Sequence, residues 1–191
     1  LSSGSIEFID SGVTNSGGLG TEGIDLTVTY NNEIGPGDFR ARLSYTHLLD
    51  GYVTPLPGAE DDVFAGEVGG SEDRAFLQLG YNWGDVGITW GINYIGKAYL
   101  DDQFLVGIDN ADGGTWAPES VSVDAVTYHD VQLTWSPGDI VELYIGATNL
   151  FDENPPPIVS GLPGNDTGTE TDAGTYDPIG QRFYAGFRAK F

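Results

Sequence analysis

Apolar and polar residues alternate with a period of two along most of this chain. The C-terminal stretch is the clearest example, because every second residue from 183 to 191 is phenylalanine or alanine. The residues between them are a tyrosine, a glycine, an arginine and a lysine. Successive side chains of a β-strand point to opposite faces, so this pattern predicts a strand with one apolar face and one polar face.

The same alternation predicts seven strands, and a weaker pattern at 5–10 indicates an eighth. No segment has the periodicity of an amphipathic helix. The chain is therefore predicted to be all-β. The seven clear strands are predicted at 23–31, 38–48, 74–83, 85–99, 125–135, 140–149 and 183–191.

The connections between these strands alternate between short and long. The short ones, which contain the glycine that tight antiparallel turns require, lie at 32–37, 83–85 and 136–139. The long ones, which hold 19 of the 29 acidic residues, lie at about 50–73, 100–124 and 152–177. Short turns at one end and long loops at the other are typical of an up-and-down antiparallel barrel that spans the outer membrane. We therefore expect the long connections to be external loops.

The amino-acid composition argues against several classes of function. The formal net charge of −22 argues against nucleic acid binding, because few basic residues could neutralise phosphates. The chain has no cysteine, so we expect neither a disulfide nor a thiolate metal site. No nucleophile–base pair or acid–base pair has suitable spacing, so we expect no catalytic activity. The first residues lack the pattern of a signal peptide, and any export signal is expected upstream of Leu1.

Most of the basic residues fall on predicted polar faces, which would line the lumen of a barrel. Confined charges are usually matched, so we expect pairing with Asp25, Asp130 and Glu142 of the same face, or with carboxylates of another domain. The alternative is a cationic wall that guides an anionic ligand. The basic residues concerned are Arg40, Arg42, Arg182, Arg188 and Lys190.

Aromatic residues divide into two groups by position. One group lies on predicted apolar faces or near strand ends, as in the aromatic girdles of membrane barrels, and consists of Trp83, Trp90, Trp135 and Tyr94. The other lies in the long connections, where aromatic rings can stack on a sugar or an apolar ligand, and consists of Tyr52, Phe64 and Trp116. The sequence Asp-Asn-Ala-Asp-Gly at 109–113 resembles half of a calcium loop without its distal glutamate. We expect no dedicated metal site or cofactor, although weak divalent cation binding in the acidic loops stays open.

Two segments resemble the C-terminal end of TonB-dependent outer-membrane receptors. In that family an Asn-Leu-Phe-Asp motif, present here at 149–152, closes the penultimate strand. A Tyr-Asp-x-x-Gly-Arg-x-Tyr stretch opens the last strand, and the residues from 176 onward are similar to it. Gln181 stands where the family usually has arginine, with Arg182 next to it. The terminal Phe191 completes the resemblance.

The resemblance implies that residues 1–191 are the last seven or eight strands of a barrel of about 22 strands. The plug domain and the segment that contacts TonB would then lie upstream of this chain. The implied function is TonB-dependent uptake of a scarce ligand, such as a siderophore, cobalamin or an oligosaccharide, across the bacterial outer membrane. The implied partners are outer-membrane lipid, the rest of the barrel, TonB and the barrel-assembly machinery, which would recognise Phe183, Phe187 and Phe191.

Two other classes of protein stay open at this point. The first is a complete eight-stranded outer-membrane barrel with a structural or channel function. The second is a secreted acidic β-sandwich that binds sugars through its loops. Both share the alternating strands and differ in what covers the apolar face.

Overall fold

The computed structural model describes residues 17–101, 122–138, 140–158 and 171–189. The described residues are all-β, and none of them belongs to a helix that is long and apolar enough to cross a membrane. The strands are β1 (Gly18–Ile34), β2 (Gly37–Thr54), β3 (Asp62–Val63), β4 (Asp73–Trp83), β5 (Val86–Ile95), β6 (Ala98–Tyr99), β7 (Ser122–Val123), β8 (Val126–Trp135), β9 (Val141–Thr148) and β10 (Arg182–Ala189). The strand indicated at 5–10 lies outside the described residues, as do Trp116, Lys190 and Phe191.

The long strands form one antiparallel up-and-down sheet in the order β1-β2-β4-β5-β8-β9-β10. The short strand β3 pairs with the end of β2, and β6 pairs with β7 in a separate two-stranded sheet. All seven clear predicted strands are therefore confirmed, and the antiparallel up-and-down order is confirmed with them. Among the described residues, β1 and β10 are the two edges of the sheet and are not paired with each other.

Several strand boundaries differ from the prediction, and the strand predicted to end at residue 48 continues to Thr54. The predicted strand at 85–99 is divided, because β5 ends at Ile95 and β6 begins at Ala98. At the break, the N–H of Gly96 donates to the carbonyl of Asp73, and a Cβ at this position would come within 2.6 Å of that oxygen. The strand predicted from 23 begins instead at Gly18, with a bulge between Glu22 and Gly23.

The strand register aligns residues of like character across the whole sheet. One row crosses seven strands on the apolar face and contains Tyr30, Ala41, Leu79, Trp90, Val131, Ala147 and Phe183. The neighbouring row points to the opposite face and contains Asn31, Arg40, Gly80, Thr89, Gln132, Gly146 and Tyr184. The alternation in sequence thus becomes two continuous surfaces of opposite polarity.

Over most of its area the main sheet is a single layer. On the apolar face, Ile145 is 57% exposed and Phe187 is 74% exposed. On the polar face, Arg40 and Arg42 are also exposed. Within the part of the chain that the structure describes, no second large sheet packs against either face.

The buried core is small and lies at the end of the sheet from which the long connections leave. Ile95, Val126 and Tyr128 belong to the polar face by register, yet each is buried. They pack with residues of the long connections, so these connections fold over the polar face at this end. The full cluster contains Ile95, Ala98, Leu100, Val123, Val126, Tyr128, Ile158 and Tyr176, with Val68 packed against it.

Candidate functional site: two faces of one sheet and a cluster of long connections

The apolar face is too large to be an ordinary surface patch. Seven strands spaced about 4.8 Å apart form a band roughly 34 Å wide. Soluble monomers rarely expose contiguous apolar patches beyond a few hundred Å². Ten residues at about 3.3 Å each, tilted by about 40°, span roughly 25 Å, which is the height of the apolar band of an outer-membrane barrel. This face is therefore suited to contact hydrocarbon or another apolar surface.

The four aromatic residues predicted to form a girdle do not share one position along the strands. Trp83 ends β4 and Trp135 ends β8, both at the short turns, whereas Tyr94 lies next to the opposite end of β5. Trp90 lies in the middle of β5, where its indole N–H donates to Nδ1 of His129 at 3.2 Å. Three of the four thus lie at strand ends, and Trp90 does not.

Two of the polar-face arginines are bound by carboxylates. Arg188 pairs with Glu142 across β10 and β9, at 2.5 Å, as the sequence led us to expect. Arg182 donates two hydrogen bonds to Asp177, at 3.0 and 2.9 Å, and Asp177 lies in a long connection and not on a strand. This partner differs from the expected one.

The other expected carboxylates have neutral donors. Asp25 accepts a hydrogen bond from the hydroxyl of Thr46 at 2.6 Å. Asp130 accepts from the backbone N–H of Asn149 at 2.8 Å. Neither carboxylate pairs with an arginine among the described residues.

Arg40 and Arg42 differ from the other polar-face arginines. Among the described residues, no carboxylate lies within ion-pair distance of either guanidinium. Both line a depression of about 320 Å³ on the polar face. Its other lining residues are Thr29, Asn31, Ala41, Gln78, Gly80, Asn82, Ile88 and Thr89.

Of the aromatic residues proposed to contact a ligand, the described Tyr52 and Phe64 are not brought together, and Tyr52 lies on β2 and not in a long connection as predicted. The ring of Tyr52 lies against Gly20, and the ring of Phe64 lies against Gly51, so both are half-buried. Gly51 and Tyr52 are successive residues of β2, so they point to opposite faces of the strand. The ring of Phe64, which covers Gly51, and the ring of Tyr52 therefore lie on opposite faces of β2. Trp116 lies outside the described residues, so the proposed ligand contact stays a prediction.

The Asn-Leu-Phe-Asp motif forms a hydrogen-bonded clip at the end of β9. Asn149 is 1% exposed and has a φ of 50°, and its side chain both donates to the carbonyl of Glu153 and accepts from its N–H. Asp152 accepts from the N–H of Gln181 at 3.0 Å, while the Gln181 amide donates to the carbonyl of Leu150. The motif therefore holds the ends of β8, β9 and β10 together.

Sequence reasoning missed a polar cluster on the apolar face, at the end nearest the long connections. Asp73 accepts a hydrogen bond from the hydroxyl of Tyr45 at 2.5 Å and lies 2.8 Å from Nδ1 of His47. The register that pairs His47 with Asp73 explains the contact, and alternation alone does not reveal it. The described residues contain no group of three or more side chains that could hold a metal ion, and the segment at 109–113 lies outside them.

Tyr176 is the most deeply buried titratable group of the cluster of long connections, and its hydroxyl has no hydrogen-bond partner among the described residues. Burial raises the pKa of Tyr176, because the phenolate would lose its hydration. A raised pKa in the folded state means that stability is lost as pH rises above the unfolded value of about 10.

We therefore expect Tyr176→Phe to be neutral or stabilising by up to about 1 kcal/mol near pH 7. The variant should also lose less stability than the wild type between about pH 9 and 11, because it has no phenol to ionise. Urea unfolding at these pH values measures both effects. Tyr128→Phe is the control, since the Tyr128 hydroxyl accepts from the N–H of Asp177 and its removal should destabilise. Equal losses for the two variants would contradict this description of Tyr176.

Comparison of the chain with known protein families, with curated proteins and with solved structures finds no match. The geometry of the sheet and the motifs of the sequence are therefore the basis for inferring a function.

Proposed function

We propose that this chain is a wall segment of an outer-membrane β-barrel of the TonB-dependent receptor type, which takes part in energised uptake of a scarce ligand. The observation that carries the proposal is the continuous apolar face, which crosses seven strands and stays exposed. Burial of apolar surface contributes about 25 cal/mol per Å², so such a face requires an apolar environment. A bilayer supplies that environment along the whole width of the sheet.

The arrangement of connections supports a membrane barrel over a soluble β-sandwich. Short turns join β1 to β2, β4 to β5 and β8 to β9, while the longer connections leave from the other end. A sandwich needs a second sheet over its apolar face. Among the described residues, the only other sheet is the pair β6 and β7, which has two residues in each strand.

Two observations favour part of a large receptor barrel over a complete small one. The edges β1 and β10 of the described sheet are not paired with each other. The clip at 149–152 and its contact with Gln181 involve the residues that resemble the receptor family. In this proposal the polar face lines the lumen, the long connections face outward, and a siderophore, cobalamin or an oligosaccharide is the transported ligand.

The remaining parts of the mechanism belong to other segments and partners. Rearrangement of a plug domain, driven through TonB, would release the ligand into the lumen. The barrel-assembly machinery would recognise β10 through the aromatic residues of its apolar face, Phe183 and Phe187, and through Phe191.

Fluorescence quenching by brominated lipids tests the orientation of the sheet. Single-tryptophan variants of the full chain would be folded into vesicles that carry bromine at different depths. We expect bromine near the bilayer centre to quench Trp90 most strongly, and bromine near the interface to quench Trp83 and Trp135, because the latter two end their strands.

The matched control places the only tryptophan at position 89, by Thr89→Trp in a variant with the other tryptophans replaced by phenylalanine. This side chain neighbours position 90 on the same strand and points to the polar face. The fluorescence of this tryptophan should not be quenched by the brominated lipids. Equal quenching at positions 89 and 90, or a chain that stays soluble without detergent and does not bind vesicles, would favour the β-sandwich.

A further inference from the structure

We propose that Arg40 and Arg42 form a binding subsite for a small dianionic molecule. The subsite lies on the polar face, so its place inside a barrel depends on the function proposed above. The binding itself depends only on the sheet.

The contrast among the arginines of the described residues carries the inference. Arg182 has Asp177 as its partner, Arg188 has Glu142, and Arg74 donates to the carbonyl of Gly69 at 3.0 Å. The net charge of the protein is −22, so many carboxylates are available to pair with a guanidinium group. Arg40 and Arg42 have neither a carboxylate nor a carbonyl partner among the described residues. Their ten N–H donors, five on each side chain, are therefore open to a ligand.

The spacing of the two side chains defines what they can bind. Arg40 and Arg42 are two residues apart on one strand, so they point to the same face with Cα atoms about 7 Å apart. Gly80 lies opposite Arg40 and has no side chain, which leaves the depression open beside it. A flexible molecule with two anionic groups separated by several bonds can therefore contact both guanidinium groups.

The surroundings add hydrogen-bonding capacity and set a border. Amide and hydroxyl groups of Asn31, Gln78 and Thr89 line the same depression and suit an oxygen-rich ligand. Glu33 and Asp38 lie on this face nearer the short turn, where they line an adjacent depression with Arg40. These two carboxylates repel an anion, so the ligand is placed between Arg40 and Arg42 and away from the turn.

A binding assay with a simple dicarboxylate tests the proposal. Adipate carries two carboxylates separated by four methylene groups, and hexanoate is its monoanionic analogue. We expect the folded chain in detergent micelles to bind adipate saturably and about 10-fold more tightly than hexanoate, since the second carboxylate gains charge-assisted hydrogen bonds. The affinity should fall as salt rises, because both arginines are exposed.

Substitutions separate the subsite from the overall charge. Arg40→Gln and Arg42→Gln should each weaken adipate binding about 10-fold, and the double variant about 100-fold. Arg188→Gln changes the net charge by the same amount as either single variant, and it should leave adipate affinity within about 2-fold because the side chain lies outside the depression. Far-UV circular dichroism establishes that each variant is folded.

Two results would overturn the proposal. One is the absence of saturable adipate binding by the folded wild type. The other is an equal loss of affinity in Arg188→Gln and in the Arg40 and Arg42 variants. A wrong membrane assignment would give a different result. The chain would then be soluble without detergent and would still bind adipate through Arg40 and Arg42.

Discussion

We expect Leu133→Arg to destabilise the chain in lipid vesicles by about 1–3 kcal/mol, because a cationic side chain on the lipid face of the proposed barrel costs roughly 2–4 kcal/mol at the midplane and less towards the interface. Leu133 lies two residues before the end of β8, between the levels of Trp90 and Trp135, and is 47% exposed on the apolar face. Its register partners are Ile88 and Ile145, so no polar group on a paired strand can accept the new charge. Urea titration of the vesicle-inserted chain measures the change.

The neighbouring substitution Thr134→Arg is the matched control. Thr134 follows Leu133 on the same strand, points to the polar face and is aligned with Gly87 and Tyr144. An arginine at this position reaches water, so we expect a change below about 1 kcal/mol. Similar losses for the two variants would mean that the faces do not differ in environment, and the assignment of the apolar face to lipid would fail.

We expect Asn149→Ala to reduce the free energy of unfolding by about 2–5 kcal/mol. The substitution removes two part-buried hydrogen bonds to the backbone N–H and carbonyl of Glu153, which contribute about 0.5–1.5 kcal/mol each. It also places alanine at a φ of 50°, in the left-handed region that costs roughly 1–2 kcal/mol for most residues. Equilibrium unfolding by denaturant, in detergent micelles, measures the total.

Two further variants divide this effect into its parts. Asn149→Gly removes the hydrogen bonds and tolerates the left-handed backbone, so it should cost about 1 kcal/mol less than Asn149→Ala. Asn154→Ala changes the same residue type at an exposed position and should have little effect. If Asn149→Ala and Asn154→Ala were equally stable, the clip at 149–152 would not hold the strand ends.

Alternation predicted the faces of the strands because each residue's face depends only on its parity and on the register with its neighbours. Arg40 and Leu79 lie on the predicted faces because one face of each strand is apolar over its central residues. The first residues of β1, such as Gly18 and Gly20, were missed because glycine carries no polarity signal, although its backbone pairs with β2 as well as any other.

The core formed by the long connections could not be predicted in the same way. Tyr128 and Ile158 meet across about 30 residues of sequence, and no local pattern relates them. The pairing of Arg182 with Asp177 could not be predicted for a similar reason, since Asp177 lies in a long connection, where alternation assigns no face. The importance of Asn149 could be inferred from its motif, but its contacts with Glu153 required the geometry of the turn.

Hydrogen bonds hold β10 in place near both of its ends. Gln181, just before Arg182, is bound to Leu150 and Asp152, and Arg188 near the other end is bound to Glu142. The far side of this strand, which has no neighbour among the described residues, presents backbone N–H and carbonyl groups at fixed spacing. A strand that pairs with this side meets a backbone whose position and register are already fixed. Association therefore costs little of the conformational entropy that a freely sliding β10 would have to lose.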